Sequence, residues 1–404
     1  MDNRVNPIGL YVHIPFCRAK CAYCDFNSYA GRDELFTPYI QALERELAWR
    51  LAQWPGVVAD TVYIGGGTPT LLPPELLEWL LERVCDDLCL PQDAEITIEA
   101  NPGTVSETSL RALRAVGVNR LSLGVQSFDD KMLRLLGRIH DSAEAKKAIG
   151  LARAAGFDNL NLDLMFALPG QTMSTWIATL NTALALCPEH LSLYSLSLEE
   201  GTPLAIQVST DALPPPDDDL AADMYLLAED CLSTAGYYHY EISNWAASAT
   251  TICNSEESTG SAFHVCRHNI KYWTLAPYWG LGAGAHSWYG GERTANVCDP
   301  QEYVARILAG GSPVATREII DVEEEMAEFM FLGLRLIDGV RVSDFVRRFG
   351  MSWTDRYGAQ IADLMALGLI IADGETVRLS RRGRLLGNQV FERFLPPDRI
   401  CERV

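Results

Sequence analysis

No run of the sequence reaches the ~18 consecutive apolar residues of a membrane-spanning helix, although 48% of the chain is hydrophobic. The opening residues Met1-Asp-Asn-Arg-Val-Asn-Pro7 hold no apolar core of the kind a secretory signal carries. Eleven cysteines in 404 residues, three of them crowded together, suit reduced thiols and metal ligands better than a disulfide framework. These absences point to a cytoplasmic chain. Basic residues are also scarce: 33 Lys and Arg against 53 Asp and Glu give a net charge of −20. Phosphates would be repelled over most of such a surface, so no nucleic-acid partner is expected. What positive charge there is gathers late, with 11 Arg and no Lys against 8 acidic residues from Gly339 to Val404.

What is present has a clear period. Six short apolar, β-branched runs recur: Leu10–Ile14, Thr61–Ile64, Glu95–Glu99, Arg120–Val125, Leu160–Met165 and Leu191–Leu198. Helical stretches separate them, among them Phe36–Trp54, Pro74–Cys89, Ser106–Ala115, Ser142–Ala155 and Met173–Leu186. Ser106 and Asp141 stand where N-caps belong. Strand–helix alternation of this length predicts βαβ units on a parallel sheet, and six units make an incomplete TIM-like barrel. In that architecture chemistry sits at the carboxyl ends of the strands. Those ends are unusual here: His13-Ile-Pro-Phe-Cys17, Gly65-Gly-Gly-Thr-Pro-Thr70, Glu99-Ala-Asn-Pro102, Gln126-Ser127, Asp163, and Ser195 with Glu199. The sequence divides into an α/β barrel over residues 1–245, a segment 246–320 with a small, polar insert near Ser248–His264, and a winged-helix-like α+β domain over 321–404.

Cys17-Arg-Ala-Lys-Cys21-Ala-Tyr-Cys24 places three thiols just beyond the first strand. Three thiolates can ligate three corners of a [4Fe–4S] cubane, and the missing fourth leaves one iron open to a small molecule. On spacing alone a zinc ion with His13 as fourth ligand remains an alternative.

This C-x3-C-x2-C spacing resembles the signature of radical S-adenosylmethionine (SAM) proteins, and the resemblance runs from Tyr11 to Ser287. It is similar to the coproporphyrinogen-oxidase-like branch through Tyr11-Val-His-Ile-Pro-Phe-Cys17, Gly65-Gly-Gly-Thr-Pro-Thr70, Gly124-Val-Gln-Ser-Phe128 and Asp163-Leu-Met-Phe-Ala-Leu-Pro169. The resemblance implies a cluster on Cys17, Cys21 and Cys24 and a SAM site formed by Tyr11, Tyr23, Gly66, Gly67, Thr68, Glu99, Gln126, Arg138 and Asp163. Glycine at 66 and 67 would let backbone approach the methionine end of SAM, and Glu99 would accept from the ribose hydroxyls.

Two activities share this framework: oxygen-independent porphyrinogen oxidation and the carriage of haem by chaperones. The oxidase pattern has a further Cys two residues after the third; here that residue is Phe26. The first strand begins about ten residues in, without the N-terminal extension the oxidase resemblance calls for. His268-Asn269-Ile-Lys-Tyr272-Trp273, followed by Gly280-Leu-Gly-Ala-Gly-Ala-His286, resembles the haem-binding motif of the chaperones. It implies His268 as an iron ligand, with Tyr272 and Trp273 over the porphyrin face. The expected function is therefore haem binding and delivery to acceptor haem proteins such as cytochromes, at the membrane surface where the acceptors lie there. The oxidase is the alternative, and a winged-helix DNA regulator using the Arg381-Arg-Gly-Arg384 patch a more distant one.

Overall fold

A computed structural model describes residues 7–248 and 263–396 of the chain. Six βα units follow one another as the apolar runs predict. Their strands are β1 (Ile8–Ile14), β2 (Ala59–Gly66), β3 (Glu95–Ala100), β4 (Arg120–Gln126), β5 (Leu160–Phe166) and β6 (His190–Ser195), each parallel to the next. The helices between them include α1 (Phe36–Gln53), α2 (Pro74–Asp87), α3 (Glu107–Ala115), α4 (Ser142–Ala154) and α5 (Met173–Ala185). Both expected caps form: the Ser106 side chain accepts from Ser109 N and that of Asp141 from Glu144 N. Such caps are worth about 1 kcal/mol each. The sixth strand stops at Ser195 rather than running to Leu198, its last ladder bond to β5 being that of Leu196 N to the Phe166 carbonyl (3.0 Å).

The sheet does not end with these six. After α6 (Asp218–Thr234), strands β7 (Tyr237–Glu241) and β8 (Asn244–Ala247) add antiparallel to the β6 edge. On the other edge β9 (Tyr278–Leu281) lies parallel to β1, with Gly9 opposite Tyr278 and Val12 opposite Leu281. Beyond it come β10 (His286–Tyr289), β11 (Glu292–Asn296) and β12 (Val314–Ile319), all antiparallel. Twelve strands thus form one sheet. The segment after residue 246 supplies the second neighbour of the strand that leads to the cysteines. Of the insert expected near Ser248–His264, only Ser248, Phe263 and His264 lie among the described residues, and Cys253 lies outside them; Ser248 and Phe263 form an antiparallel bridge.

The core of the barrel is built from alternate residues of the strands against the inner faces of the helices, with Leu10, Val62, Ile98, Leu123, Leu162 and Trp176 fully or almost fully buried. A separate apolar core, including Met330, Phe345, Tyr357, Val377 and Phe394, holds the C-terminal helices and a three-stranded sheet. Among the described residues no helix is long and apolar enough to cross a membrane.

The arginine patch of this last region is not a free surface. Arg381 bonds to Glu229 (2.8 Å) and Asp230 (2.6 Å) on α6, and Arg384 pairs with Glu229 as well. Two of the four residues of Arg381–Arg384 are therefore spent in fastening the C-terminal region to the barrel. The sequence shows the charge but not the acids it meets, which lie about 150 positions earlier.

Candidate functional site

The strands aim their carboxyl ends at a cavity of about 380 Å³, within the size range of small-molecule sites. Cys17, Cys21 and Cys24 line one side, all free thiols and all partly exposed. The loop that carries them is closed by a short parallel pairing of Phe16–Cys17 with Tyr29–Ala30. The neighbouring glycines exist for this loop. A Cβ on Gly67 would stand 2.6 Å from the Phe16 carbonyl and 3.0 Å from Cys17 Sγ. Gly67 N instead donates to Ile14 O (2.8 Å) and Thr68 N to Phe16 O (2.7 Å). Gly66 has φ +113, and a Cβ there would strike the His13 ring at 2.5 Å. The close approach that these glycines permit is thus to the cysteine loop and to His13, while both residues still line the cavity.

Two cysteine sulfurs already accept hydrogen bonds, Cys17 from Thr68 Oγ1 (3.7 Å) and Cys21 from Arg138 Nη1 (3.3 Å). Arg138 is anchored by its Nη2 on Gly124 O (2.6 Å), and a Cβ on Gly124 would crowd both Arg138 and Gln126. Gln126 itself sits at φ +64, a conformation that a non-glycine residue adopts only under local constraint. Burial raises the Cys17 and Cys24 thiols above the usual range, so iron binding there would release protons.

Glu99 is held by Tyr63 OH (2.8 Å) and Gly66 N (3.0 Å). Burial and then the nearby Asp163 push its carboxyl up to about 7, against the pull of those two bonds and of Arg120. Asp163 accepts from Asn161 Nδ2 (2.8 Å) and Ser122 Oγ (3.1 Å), and burial raises it too. Tyr23, Thr68, Glu99, Gln126, Arg138 and Asp163 all face the cavity. Tyr11 lies deeper on β1, where its hydroxyl bonds to His13 Nδ1 (2.9 Å). Sequence reasoning missed Tyr63. The signal was there: it shares a strand face with Thr61 and Gly65, two residues before the strand turns to glycine.

The chemistry of the donor set suits a cluster better than a single ion. Among the described residues no three His, Cys, Asp or Glu side chains converge closely enough to hold one metal ion. His13, the fourth ligand a zinc site would need, has both nitrogens engaged: Nε2 donates to Asn27 O (2.8 Å) and Nδ1 faces Tyr11. Three thiols around a cavity, with a buried Arg138 Nε and a buried Ser28 hydroxyl lacking protein partners, fit a cubane and a bound small molecule.

His268, Tyr272 and Trp273 are elsewhere. They lie on α7 (Arg267–Trp273), which plugs the barrel at the opposite, amino-terminal ends of the strands. Glu95, the first residue of β3, accepts from Arg267 N (2.8 Å) and His268 N (2.9 Å). His268 is 1% exposed; its Nδ1 bonds Thr61 Oγ1 (2.9 Å) and its Nε2 bonds Tyr272 OH (2.8 Å). Burial, then Lys271, drives the imidazole down to about 3, so it is neutral. In this arrangement neither nitrogen is free for iron, and Trp273 is covered by the Arg335 guanidinium at 4.3 Å.

Comparison with known proteins shows the family. Residues 11–183 match the model of the radical SAM superfamily, and residues 320–386 match that of the HemN C-terminal domain. The chain is 39% identical to the heme chaperone HemW of Bacillus subtilis, covering 95% of this chain and 98% of that one. It is 34% identical to the heme chaperone HemW of Escherichia coli, covering 97% and 99%. It is also 36% identical to the mitochondrial radical S-adenosyl methionine domain-containing protein 1 of Bos taurus, covering 93% and 84%. Among solved structures, coproporphyrinogen III oxidase (HemN) of Escherichia coli superposes with a TM-score of 0.81 at 25% identity, covering 96% of this chain and 90% of the other.

Proposed function

The chain belongs to the HemW family of radical SAM proteins, and from that premise we propose that it is a haem chaperone carrying a [4Fe–4S] cluster, SAM and haem. The cluster ligands are Cys17, Cys21 and Cys24, and Tyr11, Tyr23, Gly66, Gly67, Thr68, Glu99, Gln126, Arg138 and Asp163 form the SAM site. When bound, the cluster and SAM supply one-electron chemistry. The chain's own part is to hold the loop, to present the Glu99 carboxylate, and to keep the Arg138 cation beside Cys21.

One observation separates carrier from oxidase. Phe26 stands where the oxidase pattern has a further Cys, and it is 65% exposed at the rim of the cavity. Near-full-length likeness to curated haem chaperones supports the same reading. Haem is taken by the segment around His268, Tyr272 and Trp273 and passed to acceptor haem proteins such as cytochromes, at the membrane surface where the acceptor is there. Iron ligation by His268 requires α7 to leave its socket, because both ring nitrogens are engaged inside the barrel.

The test is anaerobic reconstitution with iron and sulfide, haem titration by absorbance with and without SAM, and then mixing with an apo-cytochrome. Haem should bind and move to the cytochrome. A reconstituted protein that takes up no haem would refute the carrier reading. Replacing all three cysteines with Ala should abolish iron uptake.

A further inference from the structure

Ser28 is 4% exposed, and its hydroxyl has no hydrogen-bond partner among the described residues. A buried hydroxyl without a partner is costly and calls for an explanation. Ser28 lines the same cavity as the three cysteines. It stands beside Tyr29, whose pairing with Phe16 next to Cys17 closes the loop and carries Ser28 to the cysteines.

The residues on either side fix the backbone that carries this hydroxyl. Tyr29 N donates to Pro15 O (2.7 Å). Asn27 is tied in three directions. Its carbonyl accepts from His13 Nε2 (2.8 Å), and its Nδ2 donates to the carbonyls of Ala283 (3.0 Å) and Cys298 (2.9 Å). The turn that offers Ala283 is held close by glycine. Gly282 and Gly284 have φ +102 and +74; a Cβ on Gly284 would stand 2.6 Å from Asn27 Nδ2, and one on Gly282 2.6 Å from His13 O. Residues Gly280–His286 therefore brace the cysteine loop, at the end of the barrel away from α7.

We propose that the Ser28 hydroxyl donates a hydrogen bond to a sulfur of the cluster held by Cys17, Cys21 and Cys24, and that Asn27, pinned to the Gly282–Gly284 turn, is the positioning residue that aims it. The inference rests on the cluster reading above. Hydrogen bonds to cluster sulfurs stabilise the more negative, reduced state and so raise the reduction potential. Ser28 is thereby a residue that sets how readily the cluster accepts its electron, without being a ligand to it.

The experiment uses the full chain, reconstituted anaerobically as wild type, Ser28→Ala, Ser28→Thr and Asn27→Ala. Iron is counted and the midpoint potential read by EPR-monitored titration. Ser28→Ala should keep wild-type iron while its reduced-to-oxidised ratio at the wild-type midpoint falls about tenfold, a shift of ~59 mV for one electron. Ser28→Thr keeps the hydroxyl and should stay near wild type. Asn27→Ala should shift in the same direction as Ser28→Ala, by less. An unmoved potential in Ser28→Ala at full iron content overturns the inference, as does an equal shift in the Ala and Thr variants. If Ser28→Ala loses iron, Asn27→Ala carries the test, and an unchanged potential there overturns the proposal. A wild-type chain that takes up no cluster would instead refute the cluster reading, so the two failures are distinguishable.

Discussion

Arg138 points Nη1 at Cys21 Sγ from 3.3 Å while Nη2 is locked onto the Gly124 carbonyl at 2.6 Å. A cation so placed offsets negative charge on the cluster loop and leaves its buried Nε for a bound anionic group. Arg138→Gln should retain about four iron per reconstituted chain and bind SAM about ten- to a hundredfold more weakly. That range corresponds to the ~1.5–3 kcal/mol of a hydrogen bond involving a charged group. Isothermal titration of the reconstituted variant with SAM is the check, and unchanged affinity would remove Arg138 from the site.

Glu99 gives a pH signature. Its carboxyl is pushed up to about 7 by burial and by Asp163, and the ionised form is the better acceptor for ribose hydroxyls. SAM affinity should therefore rise with pH through about 7 and level off above it. Glu99→Gln should bind weakly at every pH and show a flat profile. A wild-type profile already flat between pH 6 and 8 would contradict this.

Phe26 predicts a negative result in a specific assay. Given coproporphyrinogen, SAM and a reductant, the reconstituted chain should form no protoporphyrinogen over many equivalents of substrate. Sustained turnover would transfer the chain to the oxidase reading.

His268 makes two opposite predictions testable in parallel. Thr61→Val and Tyr272→Phe each remove one hydrogen bond that keeps the ring in its socket. A net bond is worth about 1 kcal/mol, so each variant should bind haem about fivefold more tightly. His268→Ala should bind haem more weakly with an altered absorbance spectrum and unchanged iron content. If none of the three alters haem binding, the ligand lies elsewhere, and His264 is the next residue to replace.

The extent to which all this was legible varied with the range of the interactions. β1–β6 were readable because each is a local run of β-branched and apolar residues, and the three thiols because their spacing is local too. Phe26 was readable for the same reason. Ser28 and Asn27 were not: the carbonyls that fix Asn27 belong to Ala283 and Cys298, 256 and 271 positions away. Arg381 and Arg384 read as an open patch because Glu229 lies on another helix of the chain. His268 beside two aromatics looks the same in sequence whether it faces solvent or Thr61. The glycines at 66 and 67 stand out in the sequence, but only the distances to the His13 ring and the Phe16 carbonyl show which groups they admit.

The pairing of Gly9 with Tyr278 has a consequence for how the molecule is made. At ~5–20 residues per second of synthesis, β1 must wait roughly 15–55 s after it emerges from the ribosome for β9 to exist. Until then one edge of β1 is bare, the amino-terminal end of the barrel lacks the helix that plugs it, and Asn27 has neither of its side-chain acceptors. The nascent chain therefore displays its three cysteines long before their loop is braced. Stable insertion of a metal centre belongs to the end of translation, and a ribosome stalled before residue 278 should present a cysteine loop that alkylating reagents modify faster than in the released protein.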